Sequence, residues 1–226
     1  YDGSMPGWQF SPHDHFFVAD FNGDKKQDLI VFNGTDWSIP YLGMLESSGS
    51  AFHLVNRFDQ HLPSWEMTNG DQFYVGDFTG DGKSDLFVFN GKNWAFPYLG
   101  MLQSTGSSLA MAHRYDQVLP SWQLTSHDRF YVGDFDGDGR SDLYVFNGSN
   151  WAIAYLGMLR SNGESLSMTH RYDGGTPGWQ MRPNDQFWIG DVNGDKKADL
   201  IDYNCNDWST QYFGAMVSNG SGRTSS

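Results

Sequence analysis

Short apolar runs separated by polar, glycine-rich turns dominate this chain, and no segment carries a convincing helical period. "QFYVG" (72–76) and "DLFVFN" (85–90) are β-branched or aromatic runs without clean polar alternation, which predicts strands buried on both faces. "NWAFPYLGMLQS" (93–104) predicts a third strand, bent near Pro97. "SLAMAHRYD" (108–116) alternates Leu109, Met111, His113 and Tyr115, as a half-buried outer strand does. Between the second and third runs, Asn90-Gly91 is a hairpin-turn signal.

The same pattern returns every 57 residues. "DFNGDKKQD" (20–28), "DFTGDGKSD" (77–85), "DFDGDGRSD" (134–142) and "DVNGDKKAD" (191–199) start one period apart. Two tryptophan series keep the step: Trp8, Trp65, Trp122 and Trp179, then Trp37, Trp94, Trp151 and Trp208. Four antiparallel strands per unit is the signature of a β-propeller blade. The expected fold is therefore all-β, a propeller of four blades with four antiparallel strands each. Its repeats are 15–71, 72–128, 129–185, and 186–226 closed with 1–14 as one domain, the ring closing within the chain. The fourth copy departs from the pattern: Arg223 and Ser225 replace Leu109 and Met111, so its outer strand is expected to be frayed, or the chain cut from a longer array.

Composition narrows the function. The net charge of −13 excludes a basic stripe for nucleic acid, and no apolar run is long enough to cross a bilayer. A single cysteine, Cys205, excludes an intrachain disulfide. The chain begins at Tyr1 rather than Met, as expected of a mature or excised form. Thirteen of the 27 acidic side chains lie in the four acidic loops, so their placement carries chemistry rather than bulk solubility.

Each loop puts oxygen-bearing side chains at positions 1, 3 and 5 and a carboxylate at position 9. Calcium takes ~6–8 oxygen ligands, some of them backbone carbonyls, and a tight loop with alternate side chains turned inward supplies them. Gly82 and Gly139 at position 6 ease the turn, whereas Lys25 and Lys196 in the first and fourth loops cost roughly 1 kcal/mol if left-handed. Position 7 is expected to offer its carbonyl and leave its side chain in water.

"DFDGDGRSDLYVF" and its copies resemble the calcium-binding FG-GAP/VCBS repeat of integrin-α-like β-propellers. The resemblance implies one Ca2+ per repeat, up to four in all. The first would be held by Asp20, Asn22, Asp24, the Lys26 carbonyl and Asp28, and the second by Asp77, Thr79, Asp81, the Lys83 carbonyl and Asp85. The third would use Asp134, Asp136, Asp138, the Arg140 carbonyl and Asp142, and the fourth Asp191, Asn193, Asp195, the Lys197 carbonyl and Asp199. With four carboxylates and a glycine, the third loop is expected to bind tightest. Four calcium ions would bring the net charge from −13 to −5 and favour an extracellular or cell-surface location, where calcium is plentiful.

Catalytic residues should break the repeat. Glu46, His61, Glu66, Glu164, Asp202 and Cys205 do so, but they are scattered and form no recognisable acid–base set, so the expectation is not an enzyme. His113 and His170 recur with Asn56 in a third copy, as hydrogen-bonding residues of the outer strand. A binding pocket, by contrast, is copied with the repeat. Asp59, Asp116 and Asp173 (with Asp2), Arg57, Arg114 and Arg171, and Gln9, Gln123 and Gln180 (Glu66 in the remaining copy) all recur around the Trp8, Trp65, Trp122 and Trp179 loop. Planar polar groups around an indole suit sugar recognition. The second series, Trp37 onward, reads as structural. Some propellers of the resembled family are lectins with pockets between adjacent blades. The functional expectation is a secreted, calcium-binding, multivalent lectin-like module whose partners are glycans or glycoproteins. The alternative is a protein-interaction, adhesion or scaffold segment of a larger extracellular or toxin-type protein, partnered by another protein chain.

Overall fold

In a computed structural model, the structure describes residues 2–204, 207, 211–220 and the backbone of 224–225. It divides into two compact units, Tyr1–Tyr115 and Asp116–Ser226. Each holds two four-stranded antiparallel sheets and two two-stranded hairpins.

In the first unit, hairpin β1 (Ser4–Met5) and β2 (Trp8–Gln9) precedes the sheet β3 (His15–Ala19), β4 (Asp28–Asn33), β5 (Tyr41–Ser47) and β6 (Phe52–Asp59). Hairpin β7 (His61–Leu62) and β8 (Trp65–Glu66) then leads to β9 (Gln72–Gly76), β10 (Asp85–Asn90), β11 (Tyr98–Ser104) and β12 (Leu109–Asp116). The second unit repeats this with β13 (Val118–Leu119) and β14 (Trp122–Gln123) before β15 (Arg129–Gly133), β16 (Asp142–Asn147), β17 (Tyr155–Ser161) and β18 (Leu166–Asp173). Its second half has β19 (Gly175–Thr176) and β20 (Trp179–Gln180) before β21 (Gln186–Gly190), β22 (Asp199–Asn204), β23 (Tyr212–Ser218) and β24 (Thr224–Ser225).

The second strand of each sheet is the most apolar because it is covered on both faces: every residue of β10 and β16 is buried. Within the first unit, Phe73 packs edge-on to Phe17 (5.9 Å between centroids) and lies 4.8 Å from Phe32. Phe187 takes the same place against Tyr131 and Phe146 in the second unit, at 5.5 and 5.0 Å. Hydrogen bonds tie successive sheets as well: Ser84 N–H donates to the Asp20 carbonyl and Ala198 N–H to that of Asp134, both at 2.7 Å.

Two details differ from the sequence reading. The third strand does not bend at Pro97 but starts after it, at Tyr98. Asn90-Gly91 makes no tight hairpin either, since Asn90 Oδ1 accepts from the N–H of Lys92 (3.1 Å) and Asn93 (2.9 Å) and caps an Asx turn. The glycine of this motif is needed for close approach: a Cβ on Gly34 would meet Asn69 Cα at 2.8 Å, and one on Gly148 would meet Pro183 Cα at 2.6 Å. In the fourth sheet the described part of the outer strand pairs Ser225 and Thr224 with Val217 and Ser218.

Candidate functional site: acidic loops and aromatic pockets

Each acidic loop joins the first strand of a sheet to the second, and its ninth residue opens the second strand. There Asp28, Asp85, Asp142 and Asp199 are buried and bind the loop to the end of the third strand. Asp85 Oδ2 accepts from the N–H of Phe78 and Thr79 (3.0 Å each), and Oδ1 from Ser104 N–H (2.8 Å). Asp142 does the same with Phe135 (3.2 Å) and Ser161 (2.8 Å). Burial pushes Asp85 up to about 6 and Asp142 up to about 7, and the charges of Asp136 and Asp138 add to the latter.

Position 1 organises the turn. Asp134 Oδ1 accepts from Gly137 N–H (2.7 Å) and Oδ2 from Gly139 N–H (2.9 Å), and Asp20, Asp77 and Asp191 repeat this. Such bonds need left-handed backbone at positions 4 and 6. Lys25 and Lys196 adopt it at φ 68°, as anticipated, and Gly137 stands at φ 80° at position 4, which the sequence reading passed over. One oxygen each from Asp134, Asp136 and Asp138 lies within 4.8 Å of the others. These are hard oxygen donors on a fixed backbone, and their chemistry fits a calcium ion.

Position 7 departs from expectation. Its side chain folds back onto the position-5 carboxylate instead of standing free in water: Lys83 Nζ to Asp81 and Lys197 Nζ to Asp195 are both 2.6 Å, and Lys26–Asp24 and Arg140–Asp138 pair likewise. The local like-charge repulsion draws the cation in. The third loop also receives Arg160, whose guanidinium pairs with Asp136 and reaches Asp138 at 2.8 Å. Glu46 and Gln103 hold that register in the first and second repeats, so the loops differ at a position outside the motif itself.

On a different part of each repeat, the hairpin folds onto the sheet that follows it. Trp8 rests on Gly43 of β5, where an added Cβ would meet its ring at 2.8 Å; Gly100, Gly157 and Gly214 receive Trp65, Trp122 and Trp179. The indole N–H is held from below: Trp65 Nε1 donates to Asp71 (3.0 Å), Trp122 to Asp128 (3.1 Å), and Trp8 and Trp179 to Asp14 and Asp185 (3.2 Å each). Asn90 and Asn147 donate to the second oxygens of Asp71 and Asp128, at 2.5 and 2.6 Å. Burial raises the pKa of Asp71, Asp128 and Asp185 against these bonds.

Above each such tryptophan lies a pocket. Trp8, Gln9, Trp37, Tyr41 and Arg57 line one of about 250 Å³. Trp65, Glu66, Trp94, Tyr98 and Arg114 line the second, and Trp122, Gln123, Trp151, Tyr155 and Arg171 the third, about 210 Å³ each. Gly178, Trp179, Gln180 and Tyr212 line a fourth, about 170 Å³. The guanidinium of Arg57 stacks 4.1 Å from the Tyr41 ring, and Arg114 and Arg171 stack on Tyr98 and Tyr155 at 4.5 and 4.4 Å. Arg57 Nε also donates to Asp59, and Arg171 Nε to Asp173, at 2.7 Å, so these aspartates fix the arginine and do not line the pocket. Asp116 holds the equivalent place in the second repeat.

The sequence reading found the first tryptophan, the arginine and the amide of this pocket. It missed Tyr41, Tyr98, Tyr155 and Tyr212, although their 57-residue step was visible. It also assigned Trp37, Trp94 and Trp151 to structure. They are 38–39% exposed and form the pocket rims, with Trp151 at 6.1 Å from Trp122 and 5.3 Å from Tyr155 in edge-on geometry. Trp208 and Cys205 lie outside the described residues. Each pocket sits on one hairpin and the sheet that follows it, so it joins the end of one 57-residue repeat to the strands of the next.

Among the residues that break the repeat, His61 faces Glu66 across the β7–β8 hairpin and Glu46 pairs with His53 at 3.2 Å. Asp202 is wholly buried, and among the described residues neither of its oxygens has a hydrogen-bond partner of ordinary geometry. His113 and His170 lean on Tyr115 and Tyr172 at 4.4 and 4.3 Å.

Comparison with known proteins adds to this geometry. No curated protein matches the sequence. In structure, the chain is similar to an Agrocybe aegerita lectin described as recognising non-reducing terminal N-acetylglucosamine (TM-score 0.56, 16% identity, 95% of this chain and 54% of that one). It is also similar to a Bacillus licheniformis rhamnogalacturonan lyase (0.55, 16%, 92% and 41%) and to a Photorhabdus luminescens Tc holotoxin pore (0.58, 15%, 94% and 9%). The chain thus spans about half or less of these chains' lengths, and likeness at such identity bears on the fold alone: repeated four-stranded antiparallel sheets of propeller type. Residues 77–145 match the family model of the FG-GAP-like repeat, from the first aspartate of the second acidic loop to the strand after the third. That segment is thus similar to the FG-GAP-like repeat, the family its acidic loops resemble.

Proposed function

We propose that this chain is a secreted, non-catalytic propeller module that binds carbohydrate through its repeated aromatic pockets, with calcium stabilising the acidic loops. The observation that carries the reading is the pocket itself, present in three full copies. An indole is buried as a floor, a second indole and a tyrosine line the walls, at right angles to the floor in the Trp122 pocket, and a stacked guanidinium and an exposed amide or carboxylate edge the opening. Aromatic faces accept the C–H face of a pyranose, while guanidinium and amide groups meet hydroxyls with paired hydrogen bonds. Several weak pockets on one chain gain strength on a glycan-coated surface through avidity. The lectin among the structural relatives is in keeping with this reading.

Calcium in this reading is structural. The carboxylates of Asp134, Asp136, Asp138 and Asp142 with the Arg140 carbonyl would hold it in the third loop. Their counterparts, with Thr79, Asn22 or Asn193 at position 3, would hold it in the others. Bound calcium would neutralise the buried charge at position 9 and fix the loop between the first two strands.

A glycan array run with millimolar calcium and again with chelator tests the function. Binding to a defined glycan set supports it; an array with no hit at millimolar calcium removes the lectin reading and leaves the scaffold one.

A further inference from the structure

Consecutive sheets within each unit dock through one repeated contact, and two exposed faces of the chain are its unmatched halves. In the first unit Phe73 of β9 enters a socket made by Phe17 of β3 and Phe32 of β4. In the second, Phe187 of β21 enters that of Tyr131 and Phe146. Beside the phenyl ring the fit is close: a Cβ on Gly133 would meet Ala198 at 2.6 Å and Ile189 at 3.0 Å. The acidic loops join in, since a Cβ on Gly23 would meet Lys83 at 3.2 Å and one on Gly137 would meet Lys197 at 3.0 Å.

The first sheet carries the entering half of this contact on an exposed face. Phe16, at the position of Phe73, Phe130 and Phe187, is 49% exposed, where they are 4–7% exposed. Val18, which matches Ile189, is 61% exposed, and Gln27, which matches Ala198, is exposed too. The fourth sheet carries the receiving half. There Trp188 and Tyr203 match Tyr131 and Phe146, and Trp188 is 49% exposed. Val192 is 46% exposed, whereas Phe21, Phe78 and Phe135 at its position are at most 2% exposed. A Cβ on Gly190 or Gly194, the counterparts of Gly133 and Gly137, would meet nothing within 4 Å.

We infer that these faces join copies of this chain head to tail, the Phe16 knob of one copy entering the Trp188–Tyr203 socket of the next. A second copy is the occupant because the two faces are the halves of a contact that the chain already makes inside each unit. The match extends beyond the aromatic rings. Val18 fills the space over Gly190 as Ile189 fills that over Gly133, and the Lys26 stem lies over Gly194, beside Asp195, as Lys83 lies over Gly23. Gln27 N–H meets the Asp191 carbonyl as Ser84 N–H meets that of Asp20, at 2.7 Å. Covering the half-exposed phenyl and indole supplies the driving force. The two surfaces differ, so the contact is heterologous. It uses no residue that lines the aromatic pockets and stands whether or not those take sugar.

Sedimentation velocity of the whole chain from about 1 to 100 μM tests this. The wild type should associate as concentration rises. Phe16→Asp and Trp188→Asp, each checked for folding by its melting curve, should weaken association by roughly tenfold or more. Mixing the two should restore a one-to-one dimer, because the first keeps its socket and the second its knob. Val18→Asp and Val192→Asp, on the same two faces, repeat the test without removing an aromatic ring. A wild type that stays monomeric over this range, a folded variant that associates as well as the wild type, or a mixture that stays monomeric would overturn the inference.

Discussion

The indole N–H of Trp65 donates to Asp71 Oδ2 at 3.0 Å, and both groups are buried. That one bond sets the tilt of the pocket floor, and Asn90 Nδ2 holds the other carboxylate oxygen at 2.5 Å. Asp71→Ala strands both the indole and the amide donors. Chemical denaturation should show a loss of roughly 2–4 kcal/mol. Asp71→Asn keeps an acceptor for Trp65 and should lose less.

The glycine under each tryptophan makes a graded prediction. A Cβ at position 43 would sit 2.8 Å from the Trp8 ring, at 100 it would sit 3.2 Å from Trp65, and at 214 it would sit 3.4 Å from Trp179. Gly43→Ala should therefore cost about 1–3 kcal/mol and Gly214→Ala markedly less, measured as shifts in the denaturation midpoint.

Arg160 would compete with a calcium ion in the third loop. Its guanidinium pairs with Asp136 and Asp138, two of the oxygen donors the ion would use. The four-carboxylate loop therefore need not bind tightest, as its sequence alone suggests. Arg160→Gln, which copies Gln103 of the second repeat, should raise calcium affinity at one site by roughly fivefold, given about 1 kcal/mol for a close charge near the surface. Isothermal titration of the variant beside the wild type measures this.

Asp202 supplies a pH dependence. It stands where Val31, Val88 and Val145 stand in the other repeats, and burial, with the charge of Asp185 adding, pushes it up to about 8. A carboxyl whose folded value is raised carries no ionisation penalty below the unfolded value near 4. That penalty grows as pH climbs from there and is complete above about 8. Asp202→Val should thus stabilise the fold at every pH, by removing a buried unpartnered carboxyl, and by roughly 3 kcal/mol more at pH 8 than at pH 4. Thermal melts of both proteins across that range check the sign.

The repeat, the strands and the acidic loops were legible because each is written in spacing: a 57-residue step, runs without polar alternation, oxygens at alternate loop positions. What was not legible depends on which face of a strand end is covered. Tyr41 opens the run "YLGMLES", whose next residues are buried, and only its place at the strand's mouth turns it into a pocket wall beneath Arg57. Asp71 sits in a loop that reads as an ordinary polar turn, and its role appears only when Trp65 and Asn90 converge on it from opposite sides. Likewise Arg160 lies outside the loop motif and reaches it through the third strand's register.

Equivalent aromatic pockets fix a stoichiometry for the ligand. Equilibrium titration with a monovalent form of whichever glycan the array identifies should saturate at three to four per chain, matching the pockets over Trp8, Trp65, Trp122 and Trp179. Each of Tyr41→Ala, Tyr98→Ala and Tyr155→Ala should remove one site. Saturation at a single glycan per chain, or a stoichiometry untouched by all three substitutions, would contradict the account.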